Sequence, residues 1–259
     1  LVRHARVRDV RFTGGVETGE RITRLAVIKK LSMELGSNSP VIVLPDADLE
    51  RATPAIAAGA FAQAGQNCLG VQRVLIHEDV YEKFRDRFVA RVAQLKAGSS
   101  LDEATDVCAM INALQAERVE SWIEEAVAGG ARILVGGRRE GALLWPTILE
   151  QAPDGTRLDR EEAYGPVVSL YRVASLDEAI DRANRVDYGL HAAIFTENLR
   201  DAFRAVRGLD VGAVIVNDST EYRLDVMPFG GTKLSGIGRE GIRFALREMT
   251  ETRVVCFNL

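Results

Sequence analysis

One thiol and one carboxylate carry the chemistry that can be read in this chain. Cys68 ends the stretch Ala64-Gly65-Gln66-Asn67-Cys68, and Glu34 lies 34 positions upstream in Met33-Glu34-Leu35-Gly36. A sulfur nucleophile without a neighbouring histidine, plus a carboxylate in its own Gly-flanked turn, suggests covalent chemistry with a general base on a separate element. A free thiol titrates near pH ~8.5, and a helix N-terminus or a cation beside it would enlarge its thiolate share. A carboxylate in a mostly apolar cleft has a raised pKa, closer to the pH at which a base must work. Out of context, Cys68 reads first as a buried structural cysteine and Glu34 as a solvent-exposed strand end.

Composition narrows the classes. With 33 Lys and Arg against 37 Asp and Glu, the chain is slightly acidic and shows no basic stripe for nucleic acid and no membrane-surface helix. Cys68, Cys108 and Cys256 are too few and too scattered for a disulfide framework. No Cys-x-x-Cys or His-x-x-x-His pattern is present, so no metal site is expected; His4, His77 and His191 read as structural. A cytoplasmic, reducing setting is the expectation. No apolar run is long enough to span a bilayer, and no signal peptide is visible. The chain opens on Leu1, and a strand follows almost at once, so a fragment beginning inside a domain is expected.

The elements that must position these groups alternate between strand and helix, which predicts an α/β layer architecture. Strands are expected over 7–13, up to Glu34, over 40–44 and over Val71–His77. A helix from 14–15 to about 24 separates the first two. Asp48 can cap a helix running through the small residues 55–64. Val80, Phe84, Phe88, Val92 and Leu95 recur at helical spacing over 78–96, with Gly98 as the stop. A further helix is expected over 114–128, then a strand at Arg132–Val135. Ser175 and Glu178 have capping-box spacing. Strands at 192–196 and 212–217 flank a helix at 199–207, and the chain ends as helix 240–248 and strand 253–257.

Six segments then fall in a telling order: Phe12-Thr13-Gly14-Gly15, Met33-Glu34-Leu35-Gly36, Gly65-Gln66-Asn67-Cys68, Glu161-Glu162-Ala163-Tyr164-Gly165-Pro166, Tyr188-Gly189-Leu190 with Ile194-Phe195-Thr196, and Pro228 to Gly236. Together they resemble the NAD(P)-dependent aldehyde dehydrogenases over essentially the whole chain. The resemblance implies a three-layer catalytic domain with a mostly parallel sheet. It also implies a remnant of the dinucleotide-binding domain over 1–36, the catalytic domain over 37–234, and a C-terminal helix and oligomerisation strand over 235–259. Most of the adenosine site and an oxyanion-hole Asn would lie upstream of Leu1, so this chain alone is expected to bind NAD or NADP weakly and to be inactive.

The resemblance also implies roles. Cys68 would be the nucleophile that passes through a thiohemiacetal and a thioester, and Glu34 the base that activates the hydrolytic water. Glu162 would hold the nicotinamide ribose. Tyr164, where the family usually has Phe, would pack near the nicotinamide, and Gly36 would give the backbone room. Gly14 and Gly15 would offer N–H groups to the pyrophosphate; the family commonly has Ser at Gly15 and Gly at Ser37. Asn67, Asn217 and Arg223 would face a small aldehyde, an anionic one if Arg223 pairs with it. A surface ion pair of Arg223 with Glu221 or Asp225 is an equal alternative. The segment from Asn217 to Glu240 looks most similar to lactaldehyde-type and phosphonoacetaldehyde-type members. The implied assembly is a homodimer or homotetramer. Cofactor-free thiol ester hydrolysis and a purely assembling role remain the competing readings.

Overall fold

The computed structural model describes residues 1–259. Seven strands form the central sheet, in the spatial order Ala213–Val216, His191–Phe195, Ser39–Val43, Val71–His77, Val167–Val173, Thr147–Glu150 and Arg132–Val135. The first six run parallel and the last is antiparallel. The chain is therefore α/β with a mixed, mostly parallel sheet. Val41, Ile42 and Val43 pair in register with Val74, Leu75 and Ile76, and all six are buried. Such unbroken burial requires cover on both faces. Helices Leu49–Phe61 and Tyr81–Val92 pack on each other, as do Leu176–Asn184 and Leu199–Gly208. The chain crosses the sheet one way from Ser39–Val43 to Val71–His77, and the other way from Val167–Val173 to His191–Phe195. Right-handed crossovers then put the two helix pairs on opposite faces. No helix is long and apolar enough to cross a membrane.

A second sheet is small. Asp9–Thr13 and Lys30–Glu34 run parallel around the helix Val16–Ala26, and Gly236–Ile237 adds antiparallel to Lys30–Glu34. Residues 35–38 carry the chain from this sheet into Ser39–Val43. Ser235 closes the joint: its hydroxyl donates to the Gly36 carbonyl (2.7 Å) and accepts from the Gly189 N–H (2.9 Å).

Several expected elements differ. The helix entered at Asp48 stops at Phe61, because Gln63, Ala64 and Gly65 adopt positive φ (52°, 56° and 67°) and turn the chain back. The helix expected over 78–96 begins with a 3-10 turn at Glu78–Val80 and ends at Val92; Gly98 lies in the short strand Ala97–Gly98 and stops nothing. Strands Thr147–Glu150 and Val167–Val173 were not anticipated. Residues 253–257 pair with no strand of this chain and are exposed. The helix end just before that tail is held by Lys30 Nζ on the carbonyls of Glu248 (3.2 Å) and Thr250 (2.6 Å).

Two polar residues inside Val71–His77 tie the layers together. Arg73 is 1% exposed. Its Nε donates to Asn38 Oδ1 (2.7 Å) and its Nη2 to the carbonyls of Asn38 (3.1 Å) and Ala183 (3.0 Å). Its Nη1 donates to the Arg182 carbonyl (2.9 Å). The 182 and 183 carbonyls end a helix, where the backbone dipole favours a cation. Burial pushes the guanidinium pKa down to about 10, so it stays charged at neutral pH. Asn38 passes the connection on to the carbonyls of Asp159 (3.3 Å) and Glu161 (3.0 Å).

Arg73→Met removes every one of these donors while filling the space. It leaves buried carbonyls and an amide unpaired, at a cost of about 3 kcal/mol. Urea unfolding of the chain should show a lower midpoint at unchanged slope; an unmoved midpoint contradicts this account.

Candidate active site

The element that carries Cys68 is a reversal held from several sides. Non-glycine residues at positive φ cost roughly 1–3 kcal/mol each and persist only where their surroundings enforce them. Here Gly65 supplies the enforcement: a Cβ on it would lie 2.1 Å from the Gly165 carbonyl oxygen, so only glycine lets the two loops touch. Asn67 then folds back on its own backbone. Its Oδ1 accepts the Leu69 N–H (2.9 Å) and its carbonyl accepts the Gly70 N–H (3.0 Å), which puts Cys68 at the corner of a turn. The half-buried thiol rests on a small apolar cluster of Leu69, Leu190 and Phe229, separate from the main core.

Glu34 is the last residue of Lys30–Glu34 and is 5% exposed. Neither carboxylate oxygen has a hydrogen-bond partner. Burial raises its pKa to about 8, helped by Glu240 and Glu248 and opposed by Arg239 and Arg223. Glu34 and Cys68 line one cavity of about 950 Å³, together with Gly14, Gly15, Gly36, Asn67, Glu162 and Tyr164. The thiol does not behave as a thiolate awaiting a cation. Burial, then Glu162 and Glu34, push its pKa up to about 11; its own backbone N–H and Arg223 oppose this. Its proton must therefore be taken by a neighbouring base as it reacts.

Glu162 lines the same cavity and is seated against the 35–38 segment. Its Oε1 accepts the Ser37 N–H (2.8 Å), and its Oε2 lies so close to Gly36 that a Cβ there would sit 2.4 Å away. Burial pushes this carboxyl up to about 7, against the pull of the Ser37 N–H and Arg118. The loop bearing Glu162 is fixed by Gln72, whose Nε2 donates to the carbonyls of Leu158 (3.0 Å) and Glu161 (2.7 Å) and whose Oε1 accepts the Ala163 N–H (2.8 Å). Arg118 grips the Ala163 carbonyl (2.6 Å) and stacks over Trp122. Tyr164 is held at φ 45° and is 44% exposed at the cavity wall. At the far end, Gly15 caps the helix Val16–Ala26 without a side-chain hydroxyl, so the first-turn N–H groups have no intrahelical acceptor.

Residues 1–255 match the aldehyde dehydrogenase family. The chain belongs to that family. It is 47% identical over 259 residues to aspartate-semialdehyde dehydrogenase 1 of Pseudomonas canavaninivorans, covering 100% of this chain and 55% of that one. It is 44% identical over 259 residues to 3-sulfolactaldehyde dehydrogenase of Priestia megaterium, covering 100% and 54%. The crystal structure of glyceraldehyde-3-phosphate dehydrogenase from Methanocaldococcus jannaschii, complexed with NADP, superposes with a TM-score of 0.93 at 43% identity, over 96% of this chain and 54% of that one. The chain spans about half the length of these relatives.

In this aldehyde dehydrogenase chain not every anticipated residue reaches the cavity. Asn217 does not line it: its amide exchanges two hydrogen bonds with the Thr196 backbone (2.9 Å each) and locks two strand ends. Arg223 also lies outside the lining. It stacks 3.9 Å over Phe229 and pairs with Glu240 (3.1 Å), rather than with Glu221 or Asp225. Arg118, Gln115, Gln72 and Glu221 were not anticipated. Arg118 is the one cation among the lining residues. The Gln72-Arg73 pair inside an otherwise apolar strand was the available signal, but nothing local names its partners.

An acid whose folded pKa exceeds its unfolded value loses stability as pH rises from the unfolded value to the folded one. For Glu34 that window runs from 4.5 to about 8. Glu34→Gln should therefore raise the thermal midpoint of the chain, little near pH 5 and most at pH 8 and above. An equal gain at both ends of the range, or none, contradicts the burial of an unpartnered carboxylate.

Proposed function

We propose that the protein oxidises a small aldehyde to the carboxylic acid through a Cys68 thioester, with Glu34 as general base and NAD or NADP as the cofactor. The observation that supports this most directly is the shared cavity: a half-buried thiol and a carboxylate without a partner open onto the same space. As the sulfur bonds the aldehyde carbon, the thiol proton passes to Glu34, and the carbonyl oxygen takes up negative charge. The Cys68 backbone N–H is the donor this chain offers to that oxyanion. With the proton at its carboxyl, Glu34 is neutral in a site where a charge is costly. The thioester left on Cys68 is then attacked by water. Glu34, having given up the thiol-derived proton to solvent, takes a proton from that water and returns it to the Cys68 sulfur as the C–S bond breaks, and the acid leaves.

The residues present fit the nicotinamide end of a dinucleotide. Uncapped N–H groups at Gly15–Glu17 suit a pyrophosphate. The Glu162 carboxylate, seated against Gly36, suits a vicinal diol, and Tyr164 offers an aromatic wall. When bound, the cofactor accepts the hydride that converts the adduct on Cys68 to the thioester. Exposed Val254, Val255 and Phe257 support assembly of the tail onto a second copy as a homodimer or homotetramer.

The substrate we infer is an anionic aldehyde. Aspartate semialdehyde and 3-sulfolactaldehyde, named for two relatives, both carry an acid group. Arg223 covers the Phe229 ring that packs near Cys68, and an anionic head would replace Glu240 as its partner. Arg223→Met in the intact protein should raise KM for an anionic aldehyde about tenfold or more, the loss of a charge-assisted pair, and leave a neutral aldehyde nearly unchanged. Equal effects on both sink this substrate class.

Cys68→Ala in the intact protein should abolish NAD(P)H formation from aldehydes. Glu34→Gln should cut steady-state turnover roughly 10²–10⁴-fold and slow acylation along with hydrolysis, so that the burst of NAD(P)H formation is lost as well. Turnover surviving in Cys68→Ala defeats the mechanism.

A further inference from the structure

By sequence alone Glu221 is expected to do no more than pair with Arg223 at the surface. In the structure its carboxylate receives a short hydrogen bond from Asn67 Nδ2. That contact matters because of where Asn67 stands. Its Oδ1 is already committed to the Leu69 N–H and its carbonyl to the Gly70 N–H, so Nδ2 is the side chain's remaining polar atom. Whatever holds Nδ2 holds the whole turn whose corner is Cys68. The neighbouring residue reinforces the grip: Thr220 Oγ1 donates to the Leu69 carbonyl. Thr220 is in turn fixed from behind by buried His191, whose Nδ1 meets the Thr220 carbonyl at 2.8 Å. A carbonyl only accepts, so that ring nitrogen carries the proton. Glu221 itself is anchored through its N–H to Ser219 Oγ (3.3 Å).

We propose that Glu221 is a positioning residue: it clamps the Asn67 amide and thereby fixes the turn that presents the Cys68 thiol and its backbone N–H to the aldehyde. The clamp rests on the aldehyde-oxidising reading for its consequence, but not for its existence. What it requires of residue 221 is an acceptor, not a charge. The charged side chains that act on the thiol are Glu162, Glu34 and Arg223, and Glu221 is not among them. A glutamine can accept from Asn67 through its amide oxygen, whereas an alanine leaves Nδ2 without a partner. Loss of the clamp lets the turn open toward water. The thiol then becomes easier to ionise, while the adduct geometry worsens. Reactivity toward a small alkylating agent and reactivity toward the aldehyde should therefore move in opposite directions.

The test uses the intact protein with Glu221→Ala, Glu221→Gln, Asn67→Ala, Asn67→Asp and the Ala double variant. Asn67→Asp keeps the side-chain volume and turns the donor into a second carboxylate, so it breaks the clamp without truncation. The first readout is the burst of NAD(P)H formation, which follows acylation. The second is the rate at which iodoacetamide alkylates Cys68 near pH 8, read by mass spectrometry of the Cys68 peptide. Thermal midpoints confirm that each variant is folded. Glu221→Ala, Asn67→Ala and Asn67→Asp should each slow the burst roughly tenfold, the scale expected for a small misplacement of a reacting group, with aldehyde KM little changed. The double variant should be no slower than either single one, and Glu221→Gln should stay close to wild type. Alkylation should be severalfold faster in the three clamp-breaking single variants and unchanged in Glu221→Gln. Losses that multiply in the double variant, or a Glu221→Gln as slow as Glu221→Ala, overturn the proposal. The alkylation arm needs no aldehyde turnover. If wild type does not oxidise aldehydes but Glu221→Ala speeds alkylation, the clamp stands and the function falls. Equal alkylation rates in wild type and Glu221→Ala overturn the clamp whatever the turnover.

Discussion

A buried guanidinium holds this molecule's working parts in one frame. Arg73 sits in a central strand with no carboxylate hydrogen-bonded to it, satisfied by a side-chain amide and by three carbonyls, two of them at a helix end. Burying a charge is expensive unless its hydrogen bonds are complete. Completing them dictates where Asn38 must stand. Asn38 fixes the exit of the 35–38 segment and, through the Glu161 carbonyl, the loop that carries Glu162. Gln72, beside Arg73 on the opposite pleat, grips the same loop by three further bonds. The chemistry at the cavity is thus set from beneath by two side chains that never touch it.

The cavity itself is electrostatically crowded. Glu34, Glu162 and Cys68 are three acids sharing one space, and Arg118 is the one cation in its lining. Burial raises all three pKa values, and the charges of Glu162 and Glu34 make the thiol harder still to ionise. That arrangement works against stability, since two carboxylates that would ionise freely in the unfolded chain resist doing so here. It works for proton transfer, because an unpartnered carboxylate with a pKa near neutrality can both accept and return a proton. A chain selected only to fold would have no reason to bury Glu34 without a partner.

Much of this was legible in the residues. The alternation of strand and helix, the cap at Asp48 and the capping box at Ser175 follow from local chemistry, and each appears where local chemistry puts it. Cys68, Glu34, Glu162 and Gly14-Gly15 were named together and line one cavity. What escaped notice depends on partners far away in sequence. Val167–Val173 lies inside the sheet, so its period-two signal is absent, and Ser169 and Tyr171 within it are as buried as its valines. The tail at 253–257 is strand-like in composition, but a strand needs a neighbour and this chain supplies none. The direction of the Cys68 shift could not be seen either, because the carboxylate that contributes most after burial, Glu162, stands in a distant loop. The funnel position of Asn217 comes from the resemblance alone; that its amide exchanges two hydrogen bonds with the Thr196 backbone depends on a partner 21 positions away that nothing local names.

The left-handed run at Gln63–Gly65 joins these strands of argument. A continued helix would have carried Cys68 onward along the helix axis; the reversal sends it back toward the Glu162 loop instead. The strain of that reversal falls on Gln63 and Ala64, and the reversal is held where Gly65 meets Gly165, a contact that a single methyl group on Gly65 would abolish. Gly165 lies in the same loop that Gln72 and Arg118 hold by its backbone. The carboxylate loop is therefore both the acidic neighbour that suppresses the thiolate and the surface that keeps the nucleophile turn bent. The loop thus bears on both geometry and acidity at Cys68, and because burial is the largest cause of the thiol's shift, a change that relaxes the turn must also change how readily the sulfur loses its proton.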